Sequence, residues 1–431
     1  MTSPSLHIAV LGAGFAGCAT AIHLGALGHR VTLIERVPEP APVGAGIIVQ
    51  PTGMHALSTM SALSEVLRLG EPLTALWCQG HRGQAILDLP YAHLHPELFG
   101  LGLHRGALFE VLFDRARALS ERVCCGLEVS RLRPADIGGS PRWHLEDKAG
   151  RRLPDPDTPA FDLVVVATGG STLLEGGPRL KRSVKVYPWG ALWAVLPDPG
   201  GPHLPAEGGR LFQVARGTHT LFGLLPSGAL SGAPSKKTVS LFWSLPLDAY
   251  DGWRTRGLAD WRQRVLSLCP ESEPVIDLIE SPEQLLLARY RDVRMKPWGR
   301  DGVLYIGDAA HATSPQLGQG TNLALMDAVA LGTAMASLTD ADALPAVLAH
   351  YHQLRRAHLR WYQRATRWLT PLFQSNLRPI GPLRDLALGL GGRIPYIRRQ
   401  MLATMSGVKL GTLWPSIPLK PIVKSITHDK S

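Results

Sequence analysis

The sequence predicts an α/β fold in which a parallel sheet carries an inserted antiparallel sheet and is followed by a C-terminal helical segment. Three observations support this prediction. A short apolar strand, a Gly-rich turn and a helical pattern open the chain at residues 7–28. Long runs of β-forming residues occupy about 180–285, and an arginine-rich helical pattern starts near residue 346. At 431 residues the chain is long enough for two or three domains.

The first Gly-rich turn has the pattern of a dinucleotide-binding turn. Residues 7–11 form the strand, Gly12, Gly14 and Gly17 follow, and residues 18–27 form the helix. Gly12 allows the tight turn, Gly14 leaves room for a pyrophosphate, and Gly17 lets the helix approach the strand closely. The helix N-terminus offers free N–H groups to the phosphates. We therefore expect a Rossmann-type domain here.

The next apolar strand, residues 30–34, ends at Glu35. A carboxylate at this place accepts hydrogen bonds from both ribose hydroxyls of an adenosine. The same negative charge repels the 2′-phosphate of NADP, so the turn favours FAD or NAD. An ordinary solvated side chain is the alternative interpretation of Glu35.

A second motif, far downstream, favours a flavin. Residues 302–306 form an apolar strand, and residues 307–322 read Gly-Asp-Ala-Ala-His-Ala-Thr-Ser-Pro-Gln-Leu-Gly-Gln-Gly-Thr-Asn before a helix from about 323 to 338. Asp308, at the end of the strand, is placed to accept from ribityl hydroxyls. Backbone N–H groups at the start of the helix face the negative charge that a reduced flavin carries at N1 and C2=O. They belong to Gly320, Thr321 and Asn322. The two motifs together predict FAD as the cofactor.

At this point the sequence resembles the class A flavoprotein monooxygenases, the family of para-hydroxybenzoate hydroxylase and the ubiquinone-pathway hydroxylases. The resemblance covers about residues 5–340 and rests on the two motifs, on residues 44–47 and on Arg105. It implies an FAD domain, an inserted substrate domain, and NADH or NADPH as transient reductant. It also implies that the reduced flavin reacts with O2 to a C4a-hydroperoxide, which transfers one oxygen atom to the substrate.

The resemblance also assigns roles to individual residues. It implies that Arg105 contacts the cofactor, that Val129 lies near the adenine, and that Pro315 sits beside the flavin ring where the substrate approaches. His311 is interpreted as a residue that organises its loop rather than as a catalytic group. The other cofactor contacts that the resemblance implies are Phe15, Ala16, Arg36, Ile47 and Gly318.

One position departs from the family pattern. An acid normally follows the strand at residues 162–167, and Thr168 occupies its place before Gly169 and Gly170. In the family that acid is associated with nicotinamide use as well as with FAD binding. The choice between NADH and NADPH therefore stays open. An FAD dehydrogenase or reductase that inserts no oxygen is the alternative function.

The middle of the chain is predicted to form an antiparallel sheet that covers the flavin. Its β runs are residues 184–196, 210–225 and 238–247. Trp193 and Phe222 are the predicted lining of an apolar pocket, together with Pro315. No general base emerges on these strands. The expected substrate is a small, apolar aromatic or lipid-like molecule.

These patterns predict three structural parts. The FAD domain is discontinuous and comprises residues 1–75, 100–178 and 285–345; the substrate domain comprises 76–99 and 179–284; the basic helical segment comprises 346–431. The five cysteines form no CxxC pair and no Cys/His cluster with metal-ligand spacing, so no bound metal is expected and the cytoplasm is the expected compartment. No apolar run reaches the roughly 18 to 20 residues of a membrane-spanning helix.

Basic charge is concentrated at the C-terminus. Residues 351–431 hold fourteen Lys or Arg and two acids, so this segment carries +12 and the rest of the chain −2. Such asymmetry indicates an anionic partner, or else a solvated helix face packed on the FAD domain. Peripheral contact with a membrane surface is one candidate. Nucleic acid is not expected as a partner, because no nucleic-acid-binding module accompanies the charge. A flavin-bearing binding protein that uses this tail is the non-enzymatic alternative.

Overall fold

A computed structural model describes residues 5–41, 44–135, 141–200, 208–412 and 416–428. These residues form twenty β-strands and twelve α-helices. The strands are β1 (His7–Leu11), β2 (Arg30–Glu35), β3 (Gly46–Val49), β4 (Glu71–Leu73), β5 (Ala75–Gly80), β6 (Ala85–Pro90), β7 (Gly100–His104), β8 (Arg122–Cys125), β9 (Arg131–Pro134), β10 (Trp143–Glu146), β11 (Arg152–Leu153), β12 (Leu163–Val166), β13 (Glu175–Gly176), β14 (Lys181–Pro197), β15 (Arg210–Arg216), β16 (Thr220–Pro226), β17 (Thr238–Pro246), β18 (Leu286–Lys296), β19 (Gly299–Arg300) and β20 (Val303–Tyr305). The helices are α1 (Phe15–Ala26), α2 (Pro51–Thr59), α3 (Leu63–Leu69), α4 (Arg105–Leu119), α5 (Tyr250–Leu266), α6 (Glu273–Ile276), α7 (Asp308–His311), α8 (Gly320–Met335), α9 (Leu344–Phe373), α10 (Ile380–Arg393), α11 (Pro395–Met405) and α12 (Leu419–His428).

A parallel sheet is built around β1. β1 pairs in parallel with β12 on one side and with β2 on the other, and β20 and β8 extend the sheet. The strand order is β19-β20-β12-β1-β2-β8, in which the short edge strand β19 runs antiparallel. β12 is buried along its whole length, as expected for a strand covered on both faces. Because parallel strands end at the same edge of a sheet, the turns after β1, β12 and β20 lie together.

The predicted antiparallel sheet is also present. It has seven strands in the order β18-β14-β17-β16-β15-β5-β6, and its neighbours run antiparallel except for the pair β15 and β5. The β run at 210–225 is two strands, β15 and β16, joined by a turn in which Gly217 has a φ of +59°. Two smaller sheets have the orders β3-β7-β4 and β11-β10-β9-β13. The predicted fold class is confirmed, whereas the domain bounds remain a prediction.

The two faces of the seven-stranded sheet have different surroundings, because side chains alternate along each strand. On one face, Phe222 and Trp243 belong to an apolar core cluster that also contains Trp261 of α5. On the other face, Ser240 accepts a hydrogen bond at Oγ from the N–H of Gly46 in β3, at 2.7 Å. This second face is therefore turned toward the small sheet that contains β3 and β7.

The long helix α9 has one buried face and one exposed face. Tyr351, Arg355 and Tyr362 are buried, whereas Arg356 and Arg364 are exposed. Most of the tail's basic side chains thus reach solvent, and Arg355 is an exception. Within the described ranges, no helix is both long and apolar enough to cross a membrane. Two of the tail's charged residues, Asp429 and Lys430, lie outside these ranges.

Candidate active site

The first Gly-rich turn leaves open space beside its backbone. A Cβ at Gly17 would overlap the carbonyl oxygen of Gly12, and Gly12 itself has a φ of +96°, so protein packing and backbone conformation explain both glycines. Gly14 is different, because an added Cβ would meet no heavy atom within 4 Å and its φ is −70°. α1 begins at the next residue, Phe15, and its N-terminal N–H groups adjoin this space. Bare backbone at a helix N-terminus fits the pyrophosphate of a dinucleotide.

Glu35 lies at the end of β2 and holds the turn in place. Its Oε2 accepts the N–H of Ala13 at 2.8 Å, and its Oε1 accepts the N–H of Val37 at 3.0 Å. Each carboxylate oxygen retains capacity for a further hydrogen bond. A half-buried carboxylate oriented in this way fits the ribose hydroxyls of an adenosine. Arg36 beside it is exposed, and Val129 packs half-buried against the neighbouring apolar cluster.

The second motif packs directly against the first. β20 leads to Gly307, where an added Cβ would come within 2.9 Å of the Ala16 Cβ in α1. Asp308 follows and is exposed, although the next two residues, Ala309 and Ala310, are buried. Among the described residues, the Asp308 carboxylate has no hydrogen-bonding or ionic partner. An acid of this kind at the sheet edge fits the hydroxyls of a ribityl chain.

The loop that follows Asp308 ends in a second open stretch. Gly318 has a φ of +59°, and an added Cβ at Gly318 or Gly320 would meet no heavy atom within 4 Å. α8 begins at Gly320, so the N–H groups of Thr321 and Asn322 belong to its first turn. The partial positive charge of this helix end fits the electron-rich edge of a flavin ring.

The side chain of Asn322 anchors this loop to β3. Its Oδ1 accepts the N–H of Gln50 at 2.8 Å, and its Nδ2 donates to the carbonyl oxygens of Ile48 and Gly318, both at 3.1 Å. The amide is buried, so both of its ends are satisfied by backbone groups. The loop after Asp308 is therefore held at a fixed position relative to β3, where Ile47 is half-buried.

A buried charged group supports the Gly307 turn from beneath. The Oδ2 atom of Asp327 in α8 accepts the N–H of Gly307 at 2.8 Å and contacts Nε2 of His311 at 2.6 Å, while Oδ1 accepts Arg355 Nε at 2.7 Å. Burial alone would raise the pKa of Asp327, but His311 and Arg355 hold the pKa of this carboxyl well below its usual range. The geometry supports the interpretation of His311 as a loop-organising residue, since its Nε2 is engaged by Asp327.

The same network reaches the C-terminal segment. Arg355 Nη1 lies 2.7 Å from Nδ1 of His358, and His358 Nε2 donates to the carbonyl oxygen of Gly407 at 2.7 Å. Burial, and after it the positive charge of Arg355, lowers the pKa of His358 from 6.5 to about 3. The imidazole is therefore neutral near pH 7, with Nδ1 as an acceptor for the guanidinium.

Arg105 lies at the start of α4, directly after β7. His104, the residue before it, caps the helix by accepting the N–H of Gly106 at Nδ1, at 3.0 Å. The Arg105 guanidinium is 5.1 Å from the ring centroid of Phe15, the first residue of α1. Two predicted cofactor contacts that are far apart in sequence are thus neighbours in space. A Cβ at Gly44 would come within 2.6 Å of the Arg105 side chain, so the Gly44 segment also borders this place.

The turn after β12 contains hydroxyl groups where the family has an acid. Thr168 is exposed, and its Oγ1 lies 2.7 Å from Oγ1 of Thr172. Arg182 of β14 donates to the carbonyl oxygens of Gly170, Thr172 and Ala309, at 2.8 to 3.1 Å. This arginine therefore ties the Thr168 turn to the Asp308 turn through neutral acceptors.

The predicted pocket residue Trp193 has an aromatic partner on the same face of the sheet. Trp193 in β14 and Phe242 in β17 are direct register partners, so their side chains lie side by side on the face that also carries Ser240. Both rings are half-buried, and the Phe242 ring covers Gly223, where a Cβ would overlap it. Phe242 also packs against a cluster that contains Phe373 of α9. Together these groups form an apolar wall.

Pro315 lies in a loop that is fastened to α9. Pro315 is exposed, and its neighbour Ser314 is buried with its Oγ 2.6 Å from Oγ1 of Thr370. Gln319, at the other end of the loop, donates to the carbonyl oxygen of Met405 at 2.7 Å. The loop therefore connects the Asp308 motif to α9 and α11.

The placement of Phe222 corrects one expectation. Phe222 is wholly buried on the opposite face of the sheet, with its ring centroid 6.4 Å from that of Trp243. It belongs to the core cluster beneath α5 and does not line a pocket on the Ser240 face. The physical reason is the period of two along a strand, which places Phe222 and Gly223 on opposite faces. On the Ser240 face the neighbouring half-buried aromatic rings are those of Trp193 and Phe242.

Some groups that shape the site do not stand out in the sequence. Asp327 and Arg355 are 28 residues apart, and Asn322 reaches a strand that precedes it by 274 residues. Phe242 gives only a weak indication in the sequence. It is one of two adjacent aromatic residues, Phe242 and Trp243, in a strand that is buried along most of its length.

The Gly-rich turn after β1, the oriented acid at the end of β2, and the exposed acid and open helix end that follow β20 meet at one edge of the parallel sheet. This fold and this site define a flavin-dependent oxidoreductase. A family model described as FAD dependent oxidoreductase matches residues 7–79, and a model described as FAD binding domain matches residues 236–366. Known relatives then refine this class.

A probable 2-heptyl-3-hydroxy-4(1H)-quinolone synthase of Rhodococcus erythropolis, AqdB2, is 28% identical over 364 residues, covering 83% of this chain and 86% of that protein. The 6-methylpretetramide 4-monooxygenase of Streptomyces rimosus is 29% identical over 334 residues, covering 75% and 73%. The fold is similar to that of PqsL, a probable FAD-dependent monooxygenase from Pseudomonas aeruginosa, with a TM-score of 0.73 at 20% identity over 89% of this chain and 99% of that one.

The chain is thus similar over most of its length to FAD-dependent monooxygenases, and its resemblance to the class A enzymes is confirmed. FAD as the cofactor is confirmed as well, and NADH or NADPH is the typical reductant of these enzymes. The contacts of individual residues with FAD remain predictions.

Proposed function

We propose that the protein inserts one atom of O2 into a small, electron-rich aromatic or lipid-like substrate. The observation that carries this proposal is the apolar wall of Trp193 and Phe242, which lies on the sheet face bonded to Gly46. Half-buried aromatic rings favour a planar apolar ligand, because they bury its surface and stack against it. The wall therefore supports a neutral ring as the substrate.

FAD is proposed to bind along the shared edge of the two motifs. Its pyrophosphate would lie on the bare backbone at Gly14 and be approached by Arg105, and its adenosine ribose would bond Glu35. Its ribityl chain would reach Asp308. The helix end at Gly320 would face the flavin ring. The further proposed contacts are Gly12, Phe15, Ala16, Gly17, Arg36, Ile47, Val129, Gly318, Thr321 and Asn322. This arrangement uses the open volumes that an added Cβ at Gly14, Gly318 or Gly320 would enter.

When bound and reduced, FAD supplies two electrons and the activation of O2 by the route that the resemblance implies. NADH or NADPH provides the electrons, one oxygen atom enters the substrate, and the other leaves as water. The protein would position the substrate and exclude water from the site. The Pro315 loop, fixed by the Ser314–Thr370 contact, and the wall at Phe242 would hold the substrate ring. The positive end of α8 would stabilise negative charge on the flavin.

The names of the relatives support an apolar ring substrate. One relative is named for a quinolone that bears a heptyl chain, and the other for 6-methylpretetramide. For this chain we propose only the chemical class that these names share, an apolar ring compound.

The proposal is tested by product analysis. Purified protein with FAD and either NADH or NADPH is incubated with a panel of phenols, quinolones and alkyl-substituted aromatics, and the products are weighed by mass spectrometry. We expect at least one substrate to gain a single oxygen atom while it accelerates NAD(P)H consumption. A panel in which every converted substrate changes by two hydrogens would contradict oxygen insertion.

A second function is supported by one observation, the hydroxyl pair at Thr168 where the family has an acid. In that case the enzyme would transfer hydride or electrons without inserting oxygen. Rates of flavin reduction by NADH and by NADPH, measured with and without substrate, report on this alternative. A reduction rate that stays negligible with both nucleotides, with or without substrate, would favour it over a nicotinamide-driven monooxygenase.

A further inference from the structure

Helix α10 carries apolar groups on two opposite faces. Its inner face contains Gly381 and Arg384, which are buried, and Leu388, which packs in the cluster with Phe373 and Phe242. A contiguous patch of exposed apolar side chains normally marks contact with another protein or with lipid. The outer face of α10 is not enclosed by the described protein.

The outer face is continuous over about two turns of the helix. Leu383, Leu386 and Leu390 are spaced i, i+3 and i+7, which places them on one stripe, and they are 64%, 60% and 51% exposed. Ile394, between α10 and α11, and Ile397, in the first turn of α11, are exposed as well. Ile397 Cγ2 lies 3.4 Å from the position of a Cβ at Gly391, so α11 packs back onto α10. These five side chains are called the α10–α11 surface.

The charge around this surface is positive. Arg393 and Arg399 are exposed within the two helices, and Arg378 is exposed just before α10. The one acid within α10 and α11 is Asp385, whose Oδ1 accepts Arg384 Nε at 2.8 Å and whose Oδ2 accepts Gln84 Nε2 at 3.0 Å. In the described part of residues 351–428, Asp385 is the one acidic residue. An approaching surface therefore meets basic side chains around an apolar centre.

We propose that the α10–α11 surface docks on an anionic membrane surface. Leucine and isoleucine side chains would enter the boundary between headgroups and acyl chains, while the arginines contact lipid phosphates. A second copy of this chain fits less well, because it would bring two sets of arginines together. The opposite face of α10 packs near the wall at Phe242, since Leu388 and Phe242 contact the same apolar cluster. Docking would thus bring the catalytic domain close to lipid-dissolved substrates. The proposal concerns attachment and does not depend on the identity of the substrate.

The test is flotation of the full-length, FAD-loaded protein with vesicles. Vesicles of phosphatidylcholine alone are compared with vesicles that contain phosphatidylglycerol, at low and high salt. We expect the wild type to float with the anionic vesicles and to be released by salt, because exposed charges are screened. Leu386→Glu/Leu390→Glu and, separately, Arg393→Glu/Arg399→Glu should weaken partitioning by on the order of tenfold or more.

The matched control is Leu354→Glu, which places the same charge on an exposed apolar position of α9 outside this surface. It should float like the wild type. FAD absorbance and the unfolding midpoint of each variant show whether folding is preserved, and exposed sites predict little change. Absence of wild-type flotation, or equal flotation of Leu386→Glu/Leu390→Glu, would overturn the proposal. A wild-type oligomer that does not float and that Leu386→Glu/Leu390→Glu dissociates would overturn it too, and would assign the surface to self-association.

Discussion

Asp327 and Arg355 form a wholly buried ion pair in which Oδ1 and Nε lie 2.7 Å apart. The carboxylate also receives the N–H of Gly307, the residue before Asp308. A buried pair contributes little over an apolar pair of the same shape, but removal of one partner leaves an uncompensated charge. The pair therefore fixes the turn that presents Asp308.

Asp327→Asn should lower the free energy of unfolding by about 3 kcal/mol or more, because Arg355 would remain buried without its counter-ion. Urea unfolding of the FAD-loaded enzyme measures this change. The control is Glu121→Gln, which breaks an exposed pair with Arg30 and should cost under about 1 kcal/mol. Equal, small effects of the two substitutions would show that the buried pair does not support the turn.

Gly14→Ala and Gly17→Ala should fail in different ways. At Gly14 an added Cβ has space in the protein, so Ala should leave folding intact and weaken FAD binding at least tenfold, or about 1.4 kcal/mol. At Gly17 the Cβ would overlap the Gly12 carbonyl oxygen, so Ala should destabilise the fold itself. FAD titration and unfolding of the FAD-free protein separate the two effects. Gly232→Ala, in an open and exposed loop, is the control and should change neither quantity.

His358 makes stability depend on pH. Its pKa is about 3 in the folded protein and 6.5 in the unfolded chain, so the unfolded chain binds the extra proton between these values. This contribution to stability is complete above pH 6.5 and is lost as the pH falls toward 3. The slope is at most about 1.4 kcal/mol per pH unit for one histidine.

His358→Gln should therefore reduce the slope of unfolding free energy against pH between pH 6 and 4. Some slope should remain, since burial also lowers the pKa of His23 to about 4. Urea titrations at several pH values measure the slope for both proteins. An unchanged slope would mean that His358 takes up its proton in the folded state.

Phe242→Ala and Phe222→Ala test which face of the sheet meets the substrate. Phe242→Ala should raise KM for an aromatic substrate about tenfold with a modest loss of stability, because the ring is half-buried at the proposed wall. Phe222→Ala should cost about 3 to 5 kcal/mol of stability, because the ring is wholly buried in the core. Steady-state kinetics and urea unfolding are measured for both variants. The reverse pattern would place the pocket on the α5 side.

The parts of the site that the sequence predicts are those built by neighbours in the chain. Gly12, Gly14 and Gly17 lie within one strand–turn–helix unit, and their spacing alone predicts the dinucleotide-binding turn. Asp308 is visible for the same reason, as the residue after an apolar strand. Local spacing therefore predicts the two motifs and, through them, the parallel sheet.

The remaining parts depend on contacts between distant segments. Asn322 can be recognised as a motif residue, but its bonds to Ile48 and Gln50 exist only after β3 packs against α8. The choice between Phe222 and Phe242 requires knowledge of what covers each face, because β16 and β17 are buried along most of their length on both faces. The solvent-facing leucines of α10 are likewise indistinguishable in sequence from Leu388, which packs inward.

Oxygen insertion is tested most directly by a single turnover with isotopically labelled O2. The FAD-loaded enzyme is reduced chemically without oxygen, which removes the question of the nicotinamide, and is then mixed with labelled O2 and an aromatic substrate from the panel that binds. We expect a product with one labelled oxygen atom and the other labelled atom in water. Reoxidation of the flavin with the label found entirely in hydrogen peroxide and an unchanged substrate, for every substrate that binds, would contradict it.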